Sequence, residues 1–145
     1  MTLSLRRKRT ICVLDDDGDV LRSLRFLLET HGFKVRTFRT GATLLRSIEP
    51  NNVDCLVIDY KMPDMDGLDV IVGIRNLRIE APIVLITGHT TARISERAAA
   101  LGVSDILYKP HFEDKLVTCI WDAMSRFPSG SNGGPPPQKY LSERP

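Results

Sequence analysis

Residues Cys55 to Ile58 are apolar without a break, and the run stops at a carboxylate, Asp59. A short, unbroken apolar run fits a strand covered on both faces, as in a parallel sheet sandwiched between helices. The continuation, Lys61-Met62-Pro63-Asp64-Met65-Asp66-Gly67, holds a proline, two further acids and a glycine, which is loop chemistry. Asp59 is therefore placed at the carboxyl end of a central strand, the edge where open α/β sheets bind ligands. A charge held there is costly unless something pairs with it. The plainer alternative is a turn acid that ends a strand.

Around this stretch, apolar strands alternate with helical patterns. Thr10 to Leu14 is a short apolar run that ends at Asp15-Asp16-Asp17. From Gly18 the apolar residues Val20, Leu21, Leu24, Leu27 and Leu28 recur at helical spacing, and His31-Gly32 closes the helix. Lys34 to Arg39 alternates around Val35 and Phe38, as a half-exposed strand does, and Thr40 can cap a short helix that buries Leu44, Leu45 and Ile48. A helix from about Leu68 to Arg78 turns Leu68, Ile71, Ile74 or Arg75, and Leu77 towards one face. Ile83 to Ile86 is a second buried strand, ending at Thr87-Gly88-His89. A helix from about Thr91 to Leu101 follows, with Ile94, Ala98 and Leu101 on one side. Ile106 to Tyr108 is the last strand and ends at Lys109-Pro110. A final helix from about Glu113 to Arg126 buries Leu116, Ile120, Ala123, Met124 and Phe127. Five strands in alternation with five helices imply βαβ units, hence a doubly wound parallel sheet with helices on both faces.

Charge and composition narrow the function. The formal net charge is +2, but Arg6-Arg7-Lys8-Arg9 lies ahead of the first strand and leaves residues 10–127 slightly acidic. Direct nucleic-acid binding is not expected of such a surface. Residues 1–9 are expected to be a solvated basic leader. Residues 128–145 hold five of the nine prolines and are expected to be a flexible Pro/Gly-rich tail. No apolar run is long enough to span a bilayer or to serve as a signal-peptide core, so a cytoplasmic location is expected. Cys12, Cys55 and Cys119 are odd in number, widely spaced and set in apolar patterns, which fits buried reduced thiols rather than a disulfide framework or a zinc site.

In a parallel sheet the carboxyl ends of all strands share one edge. That edge collects Asp15, Asp16 and Asp17 from the first strand, Asp59 from the third, Thr87 from the fourth and Lys109 from the fifth. Clustered carboxylates raise one another's pKa unless a cation joins them. A hard divalent ion such as Mg²⁺, completed by water or phosphate, fits that donor set. Asp59 could then act as a carboxylate nucleophile towards a phosphoryl group, with Thr87 and Lys109 on its oxygens.

With these motifs in place, residues 10–127 resemble the receiver domains of two-component response regulators. The resemblance rests on the acidic pair after strand one, Asp59-x-x-Met62-Pro63-x-Met65-x-Gly67, the apolar run into Thr87-Gly88, and Lys109-Pro110. Ile86-Thr87-Gly88-His89 is closest to the subgroup that usually carries a helix-turn-helix output domain. The resemblance implies a flavodoxin-like fold with strand order 2-1-3-4-5. It implies that Asp59 is the phosphoacceptor and that Asp15, Asp16, Asp59 and the backbone carbonyl of Lys61 hold Mg²⁺. It implies roles for Thr87 and Lys109 at the phosphoryl group, a cis peptide before Pro110, and tuning by His89 and Lys61. The implied partners are a sensor histidine kinase or a phosphotransfer protein, with a homodimer through helix 4, strand 5 and helix 5.

Three features depart from the family pattern. Ile106 stands where an aromatic switch residue is usual, with Tyr108 facing the other way or lying too near Lys109. His111 stands where phenylalanine is commoner, and residues 128–145 are not expected to form an output domain. The expected protein is a stand-alone receiver, an acceptor rather than an enzyme. The alternative is the receiver fragment of a DNA-binding transcriptional regulator. A distant alternative, a haloacid-dehalogenase-type phosphatase using Asp15, lacks the second acidic pair that chemistry needs and leaves the Asp59 loop unexplained.

Overall fold

The computed structural model describes residues 7–126. Within them the strands β1 (Thr10–Leu14), β2 (Lys34–Phe38), β3 (Cys55–Asp59), β4 (Ile83–Thr87) and β5 (Asp105–Tyr108) alternate with α1 (Gly18–Thr30), α2 (Gly41–Ser47), α3 (Gly67–Asn76), α4 (Ala92–Ala100) and α5 (Glu113–Ser125). All four strand pairings are parallel, in the order β2-β1-β3-β4-β5, as the family resemblance implied. β3 lies at the centre, and every residue from Cys55 to Asp59 is buried. Alternation sends its side chains to opposite faces. Cys55 and Val57 join Leu21, Leu24 and Leu28 of α1 and Leu116 and Ile120 of α5. Leu56 and Ile58 join Leu44 of α2, Ile71 and Ile74 of α3 and Ala98 of α4. This two-sided cover is why the strand reads as a continuous apolar run. The three cysteines are buried thiols, the Cys119 Sγ donating to Asp105 Oδ2 at 3.0 Å, and burial pushes the Cys12 thiol up to about 11.

Several expectations change in detail. Leu77 is the C-cap of α3 and is 45% exposed, because the helix ends before that position can turn inward. Leu45 is only partly buried. Phe127 lies outside the described residues, as do residues 1–6 and 128–145 of the expected leader and tail. Arg9 departs from the solvated-leader expectation, whereas Arg7 stays exposed. Arg7 makes a two-pronged ion pair with Asp54, at 3.0 and 3.1 Å. Arg9 is buried with its guanidinium 5.6 Å from the centre of the Trp121 ring and a nitrogen 3.4 Å from Met124 Sδ. An arginine's planar head and apolar stem can cover a hydrophobic edge even within a basic run.

Arg75 resolves another ambiguity. Its half-buried guanidinium donates to the carbonyls of Ile79 (2.9 Å), Ala81 (3.0 Å), Leu101 (2.9 Å) and Gly102 (3.2 Å). One side chain thereby ties α3 to the approach of β4 and to the end of α4. Burial lowers its pKa, an effect that Glu80 opposes.

The start of α3 fixes the backbone behind Asp59. Asp66 caps the helix with a reciprocal capping box through Asp69. The Gly67 amide donates to the Tyr60 carbonyl at 2.7 Å. A Cβ on Gly67 would lie 2.6 Å from the Asp59 carbonyl oxygen, an atom of rigid main chain. A Cβ on Gly73, in the same helix, would meet only the movable end of Leu45, at 2.9 Å. Gly67→Ala is therefore expected to lower stability by about 1–3 kcal/mol, the usual cost of overpacking, while Gly73→Ala changes it much less. Urea unfolding of both variants checks this, and equal losses would contradict it.

Candidate functional site

Each strand end is fixed by main-chain hydrogen bonds that run one residue beyond the strand. The Asp15 amide donates to the Phe38 carbonyl at 3.1 Å, the Tyr60 amide to Ile86 at 2.8 Å, and the Lys109 amide to Thr87 at 2.9 Å. Asp15, Asp59 and Lys109 are thus presented by a rigid frame rather than by loose loops.

The three aspartates after β1 divide their work. Asp17 caps α1, accepting from the amides of Asp19 (2.9 Å) and Val20 (3.4 Å). Of the three aspartates, Asp17 is the one that serves the helix N-terminus. Asp15 Oδ1 accepts from the Asp17 amide at 2.9 Å, which points its carboxylate into the site. Asp15 and Asp59 are buried, and Asp16 is half-buried beside them. One carboxylate oxygen from each of Asp15, Asp16 and Asp59 lies within 4.8 Å of the others.

Lys109 Nζ stands 2.9 Å from Asp59 Oδ1, a close ion pair rather than a well-aligned hydrogen bond. Burial pushes the Asp59 carboxyl above its ordinary range, and Lys109 only partly offsets this. Burial pulls the Lys109 ammonium down, but Asp59, Asp15 and Asp16 outweigh that and hold its pKa above the ordinary value. Burial also pushes Asp15 up to about 6, helped by the neighbouring charges of Asp59 and Asp16 and opposed by the Asp17 amide and by Lys109. One lysine facing three carboxylates leaves the site short of positive charge. An all-oxygen donor set with surplus negative charge is the chemistry that suits a hard divalent cation.

The other expected residues take different positions. Thr87 is buried at the end of β4, and its hydroxyl donates to the His89 carbonyl at 2.7 Å rather than to Asp59. Lys61 and His89 are exposed at the rim. The Lys109–Pro110 peptide is cis, as the resemblance implied. Ile106 packs against the layer that includes Ile94, Leu101 and Val103, whereas Leu107 enters the opposite layer. Strand alternation then puts Tyr108 on the same face as Ile106, not the opposite one, and it is 47% exposed there. His111 is exposed, with a left-handed backbone at φ 70°. Sequence reasoning missed Arg39, whose guanidinium donates to the Asp16 carbonyl at 2.9 and 3.3 Å. Its signal was available: Arg39 directly follows β2, which is paired with β1.

The raised Asp15 pKa makes a pH prediction. Below its ordinary value of 3.8 Asp15 is protonated in both folded and unfolded chains, and above about 6 it is ionised in both. Between these values only the folded chain keeps the proton, so the group's contribution to metal-free stability falls as pH rises through that window. Full conversion of such a shift gives up to about 3 kcal/mol, and solvent screening reduces the expected effect to on the order of 1 kcal/mol. Asp15→Asn should therefore match wild type below the window and exceed it in stability at pH 7, in chelator. Urea unfolding across pH checks this, and a variant less stable at pH 7 would contradict it.

The sequence matches the response regulator receiver domain family over residues 11–120. It is 32% identical over 129 residues to the response regulator protein TodT of Pseudomonas putida, covering 89% of this chain and 57% of that protein. It is 33% identical over 117 residues to the transcriptional regulatory protein FixJ of Bradyrhizobium diazoefficiens, covering 81% of this chain and 57% of that one. The chain spans little more than half the length of these relatives. The fold superposes on a CheY-like receiver domain protein from Methanospirillum hungatei with a TM-score of 0.77 at 25% identity, over 83% of this chain and 96% of that one. Strand order, acidic cluster, lysine and sequence match agree: this chain belongs to the response regulator receiver domain family.

Proposed function

We propose that Asp59 accepts a phosphoryl group from a sensor histidine kinase or a phosphotransfer protein. The observation that carries this reading is the placing of Asp59: 2% exposed at the ligand-binding edge of the sheet, with an ammonium group 2.9 Å away and two carboxylates beside it. An Asp59 carboxylate oxygen forms the new bond to phosphorus as the donor imidazole nitrogen leaves with the bonding electrons. Lys109 then exchanges its contact with Asp59 for one with a phosphoryl oxygen, where negative charge has gathered. Thr87 reaches the same group by giving up the His89 carbonyl, which loosens the loop ahead of α4.

Asp15, Asp16 and Asp59, with the backbone carbonyl of Lys61, would hold Mg²⁺. Bound there, Mg²⁺ supplies charge neutralisation and Lewis acidity at the phosphoryl oxygens. Asp15 as a nucleophile, the phosphatase alternative, is less well supported, because one of its oxygens is engaged by the Asp17 amide. The chain acts as an acceptor that assists its own phosphorylation and dephosphorylation, not as a turnover enzyme. Lys61 and His89, at the rim, tune water access to the phosphoryl group.

The signal leaves through α4, β5 and α5, towards a partner protein or a second copy. Only Ala98 of α4 is fully buried, so that helix is held lightly. Ile106 offers no hydroxyl, and the response runs through its packing against the α4 layer, next to Pro110 and the exposed Tyr108. A stand-alone receiver and the receiver part of a longer regulator would use this surface alike. The reading places the chain in the cytoplasm, where ATP-dependent kinases work. It assigns the chain no direct nucleic-acid contact, in keeping with the slightly acidic residues 10–127. Among the described residues no helix is long and apolar enough to cross a membrane.

The test is the intact mass after incubation with Mg²⁺ and a small acyl phosphate. One phosphoryl adduct is expected on wild type, and none on Asp59→Asn or in chelator. An adduct that survives Asp59→Asn would overturn the assignment of the acceptor.

A further inference from the structure

The Asp16–Asp17 peptide is held from both sides. Its carbonyl oxygen accepts from Arg39 Nη2 at 2.9 Å and from Arg39 Nε at 3.3 Å. Its N–H donates to Asp15 Oδ1 at 2.9 Å. The Asp16 side chain springs from the Cα next to that carbonyl. One peptide plane therefore sets the direction of two of the three carboxylates that converge within 4.8 Å. Arg39 is the contribution of β2 to the site. Phe38 pairs with Leu14 in register, so the next residue leaves the sheet beside Asp15 and Asp16. The guanidinium also lies across the first turn of α1, where a Cβ on Gly18 would be 3.7 Å from Arg39 Cζ.

We propose that Arg39 is a positioning residue for the cation site: by gripping the Asp16 carbonyl it holds Asp16 and, through the Asp17 amide, Asp15 in register with Asp59. This deepens the reading of the acidic cluster as a Mg²⁺ site and rests on it. A rigid two-pronged donor fixes a peptide plane more firmly than a single flexible one. A cation bound to the carbonyl also strengthens the N–H on the other side of the same plane as a donor. The geometry matters because Mg²⁺ tolerates little departure from octahedral coordination.

Arg39 carries a second effect of opposite sign. Its positive charge stands next to the cluster and repels an incoming cation. The charge is exposed and bordered by an open cleft of about 380 Å³ between Arg39, Thr40, Met62, Pro63 and Met65. Solvent and salt screen an exposed charge, while the hold on a peptide plane is not screened. Positioning is therefore the larger effect.

The test is Mg²⁺ binding without any phosphodonor, by calorimetry, on wild type, Arg39→Lys, Arg39→Gln and Asp16→Asn. Arg39→Gln loses both the charge and the fork, and Arg39→Lys keeps the charge but loses the fork. Both are expected to weaken Mg²⁺ binding, Gln by about tenfold, the lower end of what partners of metal ligands contribute. The loss should persist at high salt, and the Asp17 amide resonance should move in both variants. Because Arg39 borders open space, urea midpoints should stay at the wild-type value. Tighter binding by Arg39→Gln, with Arg39→Lys unchanged, would make charge the only role and overturn the proposal. Unchanged binding in both variants, with Asp16→Asn impaired, would overturn it and leave the cation site standing. Absence of saturable Mg²⁺ binding by wild type would overturn the cation site and the role of Arg39 together.

Discussion

The interaction on which the rest of the site depends is the pairing of Asp59 with Lys109 across the end of β4. Asp59 closes the central strand of a sheet covered on both faces, so its carboxylate is largely stripped of water. An isolated carboxylate there would neutralise itself by taking up a proton. Lys109, one strand beyond β4, is the nearest counter-charge, and the cis peptide at Lys109–Pro110 lies directly behind it. The pair is not balanced. Asp15 and Asp16 add negative charge to the same space, and burial leaves Asp15 and Asp59 both harder to ionise than usual. A site built this way is under electrostatic stress that protons, or a bound cation, would relieve.

Under the proposed function, this local stress would reach other proteins through the way the fold holds α4. The α1 and α5 layer is packed around large aliphatic side chains from both helices. α4 is attached through Ala98 and the partly buried Ile94, at one end by the Arg75 knot and at the other by the loop that Thr87 holds through His89. A change in the partners of Thr87 therefore acts on the less firmly held end of the least buried helix. Switching elements are drawn from the regions of low local stability. Coupling between site and surface requires only that the two arrangements of this end differ in their contacts with the phosphoryl group.

Much of this was legible in the sequence, for identifiable reasons. Cys55–Ile58 and Ile83–Ile86 read as buried strands because burial on both faces removes the need for polar alternation. Asp59, Asp15, Asp16, Thr87 and Lys109 could be aligned because parallel strands share one carboxyl edge. What escaped were contacts made by long, polar-headed side chains, whose direction no periodicity encodes. Arg9 lies against Trp121 and Arg7 pairs with Asp54, although both looked like part of a solvated leader. Arg39 looked like the end of a half-exposed strand, yet its guanidinium reaches the Asp16 carbonyl. Thr87 is expected to hydrogen-bond a phosphoryl oxygen, and its hydroxyl here donates to the His89 carbonyl, a local partner that strand position does not reveal. Of the two placings expected for Tyr108, facing away from Ile106 does not hold, because residues two apart in a strand share a face.

The central claim is that Asp15, Asp16 and Asp59 act as one cation-binding unit at the sheet edge. The most direct measurement is a Mg²⁺ titration followed by backbone amide chemical shifts, with no phosphodonor present. The account expects saturable shifts centred on residues 15–17 and 59–61, spreading to Thr87 and Lys109 and sparing the opposite edge around Arg9 and Asp54. Shifts that fail to saturate, or that centre away from these three aspartates, would contradict it.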